Sequence, residues 1–241
     1  MSIRPAIATS KATPTIEGAG VHLHRAFGFN APETYDPFLL FDDFRNDTPD
    51  SYKYGFPWHP HRGIETITYV LNGSVEHSDS LGNSGMLSAG DVQWMTAGSG
   101  IMHQEMPAGN SHGQMHGFQL WANLPSSLKM TNPRYQDVQG KEISEIVDDD
   151  GTKVKVITGQ FWGKKGPVDG IAADPLYLDI EIPADHRKSF KVDTYRNTFA
   201  YIFEGAGKFA DASMPKGILL EKEVSGQELN IRDMSGNRTL V

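Results

Sequence analysis

Two short histidine-containing motifs are the part of this sequence best suited to chemistry. The first contains His59 and His61, and the second contains His103 and Glu105. Because side chains alternate between the two faces of a strand, residues i and i+2 point the same way. Two neighbouring strands can therefore bring all four side chains to one point. Three imidazoles and a carboxylate suit a divalent transition metal such as iron, manganese, nickel or copper. Four ligands on an ion that prefers six leave positions for substrate or oxygen, which predicts a reactive site.

Glu65 is a second carboxylate that can complete the ligand set. It follows His59 by six residues, an even separation, so an unbroken strand would point it to the same face as the histidines. Glu105 follows His103 by two residues and meets the same condition. The spacing alone leaves both carboxylates open.

The segments around these motifs are typical of short β-strands separated by turns. Residues 65–71 are β-branched or aromatic and alternate in character, and they end at Asn72-Gly73, a dipeptide typical of a hairpin turn. Further strands are predicted at 74–79 and 117–124, and residues 87–95 contain a glycine turn that leads into another strand. The pattern predicts an all-β fold for this half of the chain.

Four sequence strings in the first half make a family resemblance specific. They are, in order, DPFLLFDDF (36–44), HPHRG (59–63), QWMTAG (93–98) and GFQLW (117–121). Together they resemble the pirin family of the cupin superfamily, and the resemblance extends through most of residues 1–135. It implies an all-β fold of two consecutive cupin jelly rolls, a tandem called a bicupin, with a metal in the first barrel.

The resemblance also implies a choice between the two carboxylates. Pirins use the glutamate two residues after the third histidine, so the implied metal ligands are His59, His61, His103 and Glu105, with Glu105 also the general base. Glu65 is then left to orient a ligand imidazole. The implied cofactor is one divalent transition metal, iron(II) in first place and manganese, nickel or copper as alternatives.

Two functions from different classes follow from the same resemblance. Some pirin-like proteins act as quercetin 2,3-dioxygenases, so we expect a small aromatic substrate, a flavonol or related phenol, whose ring is cleaved with molecular oxygen. The alternative is an iron-dependent, redox-sensing co-regulator that binds a protein partner without turnover. Loss of the visible absorbance of quercetin in the presence of the iron-loaded protein would discriminate between them.

The composition narrows the class of protein. The chain has 241 residues, a formal net charge of -8 and no cysteine. The acidic balance argues against direct binding to nucleic acid, and the absence of cysteine excludes a disulfide framework. No apolar stretch is long enough to cross a membrane. We therefore expect a cytoplasmic protein, or a nuclear one in a eukaryotic cell.

The second half of the chain is predicted to repeat the fold without the metal site. We predict a metal-binding domain at 1–136, an acidic linker at 137–151 and a cupin-like domain at 152–241, with strands at 153–157 and 176–182. Residues 199–205 (FAYIFEG) resemble 67–73 (ITYVLNG) at an offset of 132 residues.

At that offset the ligand positions are occupied by other residue types. Lys191, Asp193 and Asn197 replace the first motif and its glutamate, and Ser235 and Asn237 replace the second. The second domain is therefore predicted to bind no metal. The equivalent of strand 117–124 would lie beyond residue 241, so the second barrel is open, truncated, or completed by residues near the amino terminus.

The remaining histidines and aromatic residues are predicted to be structural. His77 and His116 are expected in the core or at the surface. Trp58, Trp94 and Trp121 are expected in the core, with some of them lining the site, since the interior of a small barrel serves as both core and pocket. The sequence does not distinguish among the three.

Overall fold

Nearly all regular structure in the chain is β, which confirms the predicted fold class. The computed structural model describes residues 3–30, 32–193, 195–209 and 238–241. Within these residues there is one short α-helix, α1 (Pro32–Tyr35), and 3-10 turns occur at Pro49–Ser51, Ser126–Leu128 and Gly140–Glu142. The strands are β1 (Ser10–Lys11), β2 (Thr13–Glu17), β3 (Val21–Phe27), β4 (Phe38–Asp43), β5 (Phe56–His61), β6 (Ile64–Asn72), β7 (Ser74–Asp79), β8 (Ser84–Ser88), β9 (Val92–Thr96), β10 (Ile101–Ala108), β11 (His116–Asn123), β12 (Arg134–Val138), β13 (Ser144–Val147), β14 (Lys153–Thr158), β15 (Gln160–Phe161), β16 (Lys164–Lys165), β17 (Tyr177–Glu181), β18 (Tyr201–Ile202) and β19 (Thr239–Leu240).

Two antiparallel sheets face each other in the first half. One has the order β12-β9-β6-β11-β4-β3-β2 and the other β5-β10-β7-β8. Two sheets packed around a shared interior form the jelly-roll arrangement. The predicted strands at 65–71, 74–79 and 117–124 are β6, β7 and β11. Gly73, in the turn after β6, has a φ of 80° and donates its N–H to the Asn72 side chain. The hairpin predicted at this turn was wrong: β6 and β7 belong to different sheets, so the turn connects the two sheets.

The other face of the seven-stranded sheet packs against the second half of the chain. Its side chains belong to one buried cluster with residues of the C-terminal half; the cluster includes Ile67, Tyr69, Trp94, Phe118, Leu120, Ile157, Val168, Ile171 and Leu240. Hydrogen bonds cross the same boundary, from the Tyr69 hydroxyl to Asp179 at 2.8 Å and from the Tyr201 hydroxyl to Asp43 at 2.9 Å. The two halves therefore share one apolar core.

The described part of the second half contains small sheets. β13, β14 and β17 form one, with β14 and β17 at the predicted 153–157 and 176–182, and β15 pairs with β16. β18 and β19 form a third sheet with β1, in which Ser10 lies opposite Leu240. Residues near the amino terminus thus pair with residues 239–240, while the completeness of the second barrel remains a prediction.

The predicted repeat is only partly strand. Of residues 199–205, Tyr201–Ile202 form β18, and Lys191, Asp193 and Asn197 lie outside strands. Ser235 and Asn237 fall outside the described residues. The segment predicted as a linker contains β13, which pairs with β14. The domain boundaries and the metal-free second half remain predictions.

No helix among the described residues has both the length and the apolar character needed to span a membrane.

Candidate metal centre

The two histidine motifs lie on neighbouring antiparallel strands. β5 contains His59 and His61, β10 contains His103, and His59 lies directly opposite His103 in the register of the four-stranded sheet. The chain reverses after β5 at Gly63, whose φ is 69° and whose N–H donates to Gly98 O at 2.8 Å. Only glycine adopts that backbone conformation without strain. This contact ties the turn after the first motif to the turn before the second.

The three imidazoles converge at one point, as their spacing predicted. One ring nitrogen from each of His59, His61 and His103 lies within 4.8 Å of the others. The Nε2 atoms of His59 and His61 are 3.1 Å apart. The ring centroids are separated by 4.4 to 4.9 Å. Among the described residues this is the one group of three or more such side chains with metal-ligand spacing.

Hydrogen bonding around the rings fits a metal. His59 Nδ1 lies 2.8 Å from Pro57 O, and this contact leaves Nε2 as the nitrogen directed at the centre. His103 is 1% exposed, and neither of its ring nitrogens has a hydrogen-bond partner among the described residues. A buried polar atom without a partner is costly, and a metal ion on one of these nitrogens would satisfy that nitrogen.

Glu105 lies next to the triad but outside that 4.8 Å group. It is 7% exposed, and its Oε1 lies 3.0 Å from the Thr68 hydroxyl on β6 of the facing sheet. Burial and the neighbouring imidazoles lower the pKa of His61, and the negative charge of Glu105 opposes that shift. In this structure the three histidines are together, and Glu105 is held beside them by a hydrogen bond.

Glu65 lies on the opposite face of β6 from Thr68, because the two residues are three apart. It shares its face with Ile67 and Tyr69, and its Oε1 accepts a 2.7 Å hydrogen bond from Thr96. The even separation from His59 has no consequence, since the chain turns at Gly63 and β6 belongs to the other sheet. Burial raises the pKa of Glu65.

Burial also controls the charge of the imidazoles. Burial, together with the neighbouring His103 and His59, lowers the pKa of His61 to about 3. Burial likewise lowers the pKa of His103 to about 3, with additional contributions from His59 and His77. Imidazole binds a metal only in its neutral form. The protein therefore keeps these two rings in the form that a metal requires.

The walls of the site include residues that the sequence did not single out. Trp121 packs edge-on against His61, with ring centroids 4.9 Å apart, whereas Trp94 is fully buried in the cluster on the other face and Trp58 is 50% exposed. Of the three tryptophans, Trp121 contacts the site. Trp121 is the register partner of Thr66 in the pairing of β11 with β6, so its side chain lies on the same face of the sheet as those of Thr66 and Thr68. The sequence identifies this face only once the pairing of β6 with β11 is known.

A second alternating pair lies on the other side of β10. Asp79 is in register with His103, and His77 is in register with Glu105. Both are buried, at 6% and 3% exposure. His77 and Asp79 are two residues apart, as in the ligand motifs, so their side chains lie on the same face of β7. This spacing in the sequence could have predicted that both face the interior between the two sheets.

Comparisons with known proteins show which proteins this chain resembles in sequence. The sequence model described as Pirin matches residues 20–122. A pirin-like protein of Caulobacter vibrioides is 44% identical over 211 residues, which are 87% of this chain and 76% of that protein. A Pseudomonas aeruginosa protein provisionally named a quercetin 2,3-dioxygenase is 40% identical over 235 residues, 95% of this chain and 82% of that protein.

Solved structures show the same likeness. A quercetin 2,3-dioxygenase from Acinetobacter baumannii has a TM-score of 0.63 and 34% sequence identity, over 70% of this chain and 61% of that one. A protein of Geobacillus kaustophilus has a TM-score of 0.61 and 38% identity, over 71% of this chain and 66% of that one.

Proposed function

The chain belongs to the pirin family, and on that premise we propose that it is a metal-dependent dioxygenase of the quercetin 2,3-dioxygenase type. Its substrate is a flavonol or a related phenol, whose central ring is opened with molecular oxygen. Proteins named for this reaction are among its relatives in sequence and in structure. The names of those relatives are the support for proposing a flavonol or related phenol as the substrate of this chain.

One observation supports the metal requirement above the others. His103 is buried with two unpartnered nitrogens, and it lies in a group with His59 and His61 that has metal-ligand spacing. Without an ion, the buried imidazoles of His61 and His103 would lose hydration without gaining a ligand in its place. Imidazoles with one carboxylate suit iron(II), and manganese, nickel and copper bind the same donors.

Glu105 completes the proposed site. Its carboxylate is buried and lies on the same strand as His103, and it would be the fourth ligand of the ion. A bound divalent transition metal supplies Lewis acidity and redox chemistry. The histidines hold the ion, and Glu105 accepts the enol proton of the substrate on a carboxylate oxygen. Trp121 offers an apolar surface beside His61 for the aromatic rings.

Turnover by the iron-loaded protein tests the proposal. The protein is loaded with iron(II) without air, its metal content is measured, and quercetin is added with oxygen. We expect the visible absorbance of quercetin to fall at a rate proportional to bound iron, with one oxygen molecule consumed per quercetin. Without oxygen, or after removal of iron by a chelator, the absorbance should remain constant.

The contradicting result is equally specific. A fully loaded sample that consumes neither quercetin nor oxygen would overturn the dioxygenase proposal. It would favour the alternative function, in which the metal's charge state changes a surface that binds a protein partner.

A further inference from the structure

The Thr68 hydroxyl lies between two acceptors in the interior between the two facing sheets. It is 3.0 Å from Glu105 Oε1 and 2.6 Å from Gln119 Oε1. Thr68 is 2% exposed, so water does not compete for these contacts. A hydroxyl has a single hydrogen and can donate it to only one acceptor at a time. The Glu105 carboxylate and the Gln119 amide therefore compete for the same donor.

The positions of the three residues come from different parts of the fold. Thr68 and Gln119 are register partners on β6 and β11 of the seven-stranded sheet, and Glu105 is on β10 of the facing sheet. The Thr68–Glu105 contact thus crosses the interior from one sheet to the other. Because β6 is hydrogen-bonded on both sides, by β9 and β11, it is a rigid support for the hydroxyl.

We propose that Thr68 is a positioning residue for Glu105 and that Gln119 sets how strongly it acts. This inference rests on the proposed function, in which Glu105 is the fourth ligand and the base. When Thr68 donates to one carboxylate oxygen of Glu105, the side chain is fixed and the other oxygen would be left for the ion. When Thr68 donates to Gln119, that constraint is lost. The residue acts through Glu105 and touches neither metal nor substrate.

The chain contains a matched control for this contact. Thr96 donates to Glu65 at 2.7 Å, and this is also a buried threonine–glutamate hydrogen bond within the same domain. It lies on the opposite face of the seven-stranded sheet. Thr68→Val and Thr96→Val therefore remove the same kind of bond from the same fold. Only the first removes it from the metal centre.

The test measures the dissociation constant of nickel(II), which suits imidazole ligands and is stable in air, by competition with a chelator. We expect Thr68→Val to raise this constant about 10- to 100-fold, the range for a residue that orients a ligand. Thr96→Val should leave the nickel dissociation constant unchanged. It should lower the urea midpoint of unfolding about as much as Thr68→Val does. Thr68→Ser, which keeps the hydroxyl, should restore most of the affinity. Gln119→Met removes the competing acceptor, so we expect affinity tighter than that of the wild type.

The outcomes separate this inference from the function it rests on. Equal nickel affinity in the wild type, Thr68→Val and Thr68→Ser would overturn the role of Thr68, whatever the activity. Weakened affinity in Thr96→Val to the same degree would also overturn it, because the effect would then be one of stability. If Thr68→Val does not fold, the Ser and Met variants still decide the question: nickel affinity in Gln119→Met that is equal to or weaker than that of the wild type would overturn the proposed competition. A wild type that binds nickel but leaves quercetin intact would overturn the dioxygenase proposal alone.

Discussion

The two faces of the seven-stranded sheet carry very different side chains. On the inner face, Thr68 and Gln119 point toward the histidines and present hydrogen-bonding groups. On the outer face, Ile67, Tyr69 and Phe118 belong to the apolar core shared with the C-terminal half. Because a strand alternates its side chains, β6 serves both regions with successive residues. One strand therefore supports both the chemistry and the packing.

The two glutamates show what this difference does to similar groups. Glu105 and Glu65 are both buried and both accept a hydrogen bond from a threonine, at 3.0 and 2.7 Å. Glu105 lies beside the imidazoles, whereas Glu65 lies on the face that meets the C-terminal half. Residue type, burial and local hydrogen bonding are nearly matched, so the face of the sheet is the variable that separates a candidate ligand from a structural carboxyl group.

The largest effect is expected from a histidine of the inner region. His103→Ala removes a buried donor from the centre of the triad, so metal affinity should fall by more than the about 100-fold upper range of a residue that only orients a ligand. The wild type should bind one equivalent of metal per chain. Metal analysis after dialysis measures both. Two tightly held equivalents in the wild type would contradict the assignment of a single centre to the first half.

A pair of carboxylate substitutions tests the faces directly. Glu105→Gln keeps the shape and removes the charge, so metal affinity should weaken and quercetin turnover should stop. Glu65→Gln resembles the protonated form that burial already favours at that position, so metal affinity and turnover should stay near wild type. Isothermal titration with the metal and the absorbance assay report the two quantities. The reverse ranking would place the ligand carboxylate on the other face.

The pH dependence of the free energy of unfolding should depend on histidines from both faces of the seven-stranded sheet. In the metal-free protein burial lowers the pKa of His61 and His103 to about 3 and that of His116, which contacts Arg45 at the boundary with the C-terminal half, to about 4. The unfolded chain takes up these protons below about pH 6.5. Stability should therefore be complete above that pH, fall as the pH drops toward 4, and level off below about 3.

The slope should approach about 1.4 kcal/mol per pH unit for each histidine. Urea denaturation of the metal-free protein between pH 7 and 4 measures it. His116→Asn should reduce the slope by one proton and leave the contribution of the inner pair. An unchanged slope would show that His116 binds its proton equally in the folded and unfolded states.

The smallest effect on the metal centre is expected from the outer region. Tyr69→Phe removes the 2.8 Å hydrogen bond that the hydroxyl donates to Asp179. Asp179 keeps its ion pair with Lys155 at 3.9 Å, so the carboxylate is not left without a partner. The free energy of unfolding should therefore fall by about 1.5 kcal/mol, the value of one hydrogen bond to a charged group. Metal affinity should not change, because Tyr69 points away from the histidines. Urea denaturation and a metal titration on the same sample separate the two. A coupled loss of metal would mean that the faces are not independent.

Much of the fold could be predicted because it depends on local patterns. The alternation in residues 65–71 and the turn dipeptide Asn72-Gly73 predicted β6 and the turn that ends it, and both are observed. The predicted hairpin was wrong, because β6 and β7 belong to different sheets. The C-terminal half was less predictable. The similarity of 199–205 to 67–73 predicted a full strand, yet β18 has two residues and pairs with β19, which in turn pairs with β1. That contact joins residues more than two hundred positions apart, and no local pattern specifies it.

The amino-acid sequence by itself determined the convergence of the three histidines. A period of two within each motif fixes the relative direction of His59 and His61, and the glycine turns allow their strand to lie beside that of His103. Only the tertiary structure decided which threonine, glutamate and tryptophan meet them. Strand periodicity specifies that Glu65 and Thr68 lie on opposite faces of β6, but not which face is turned toward β10. That choice depends on how the two sheets and the C-terminal half pack together, and burial of the apolar face made it.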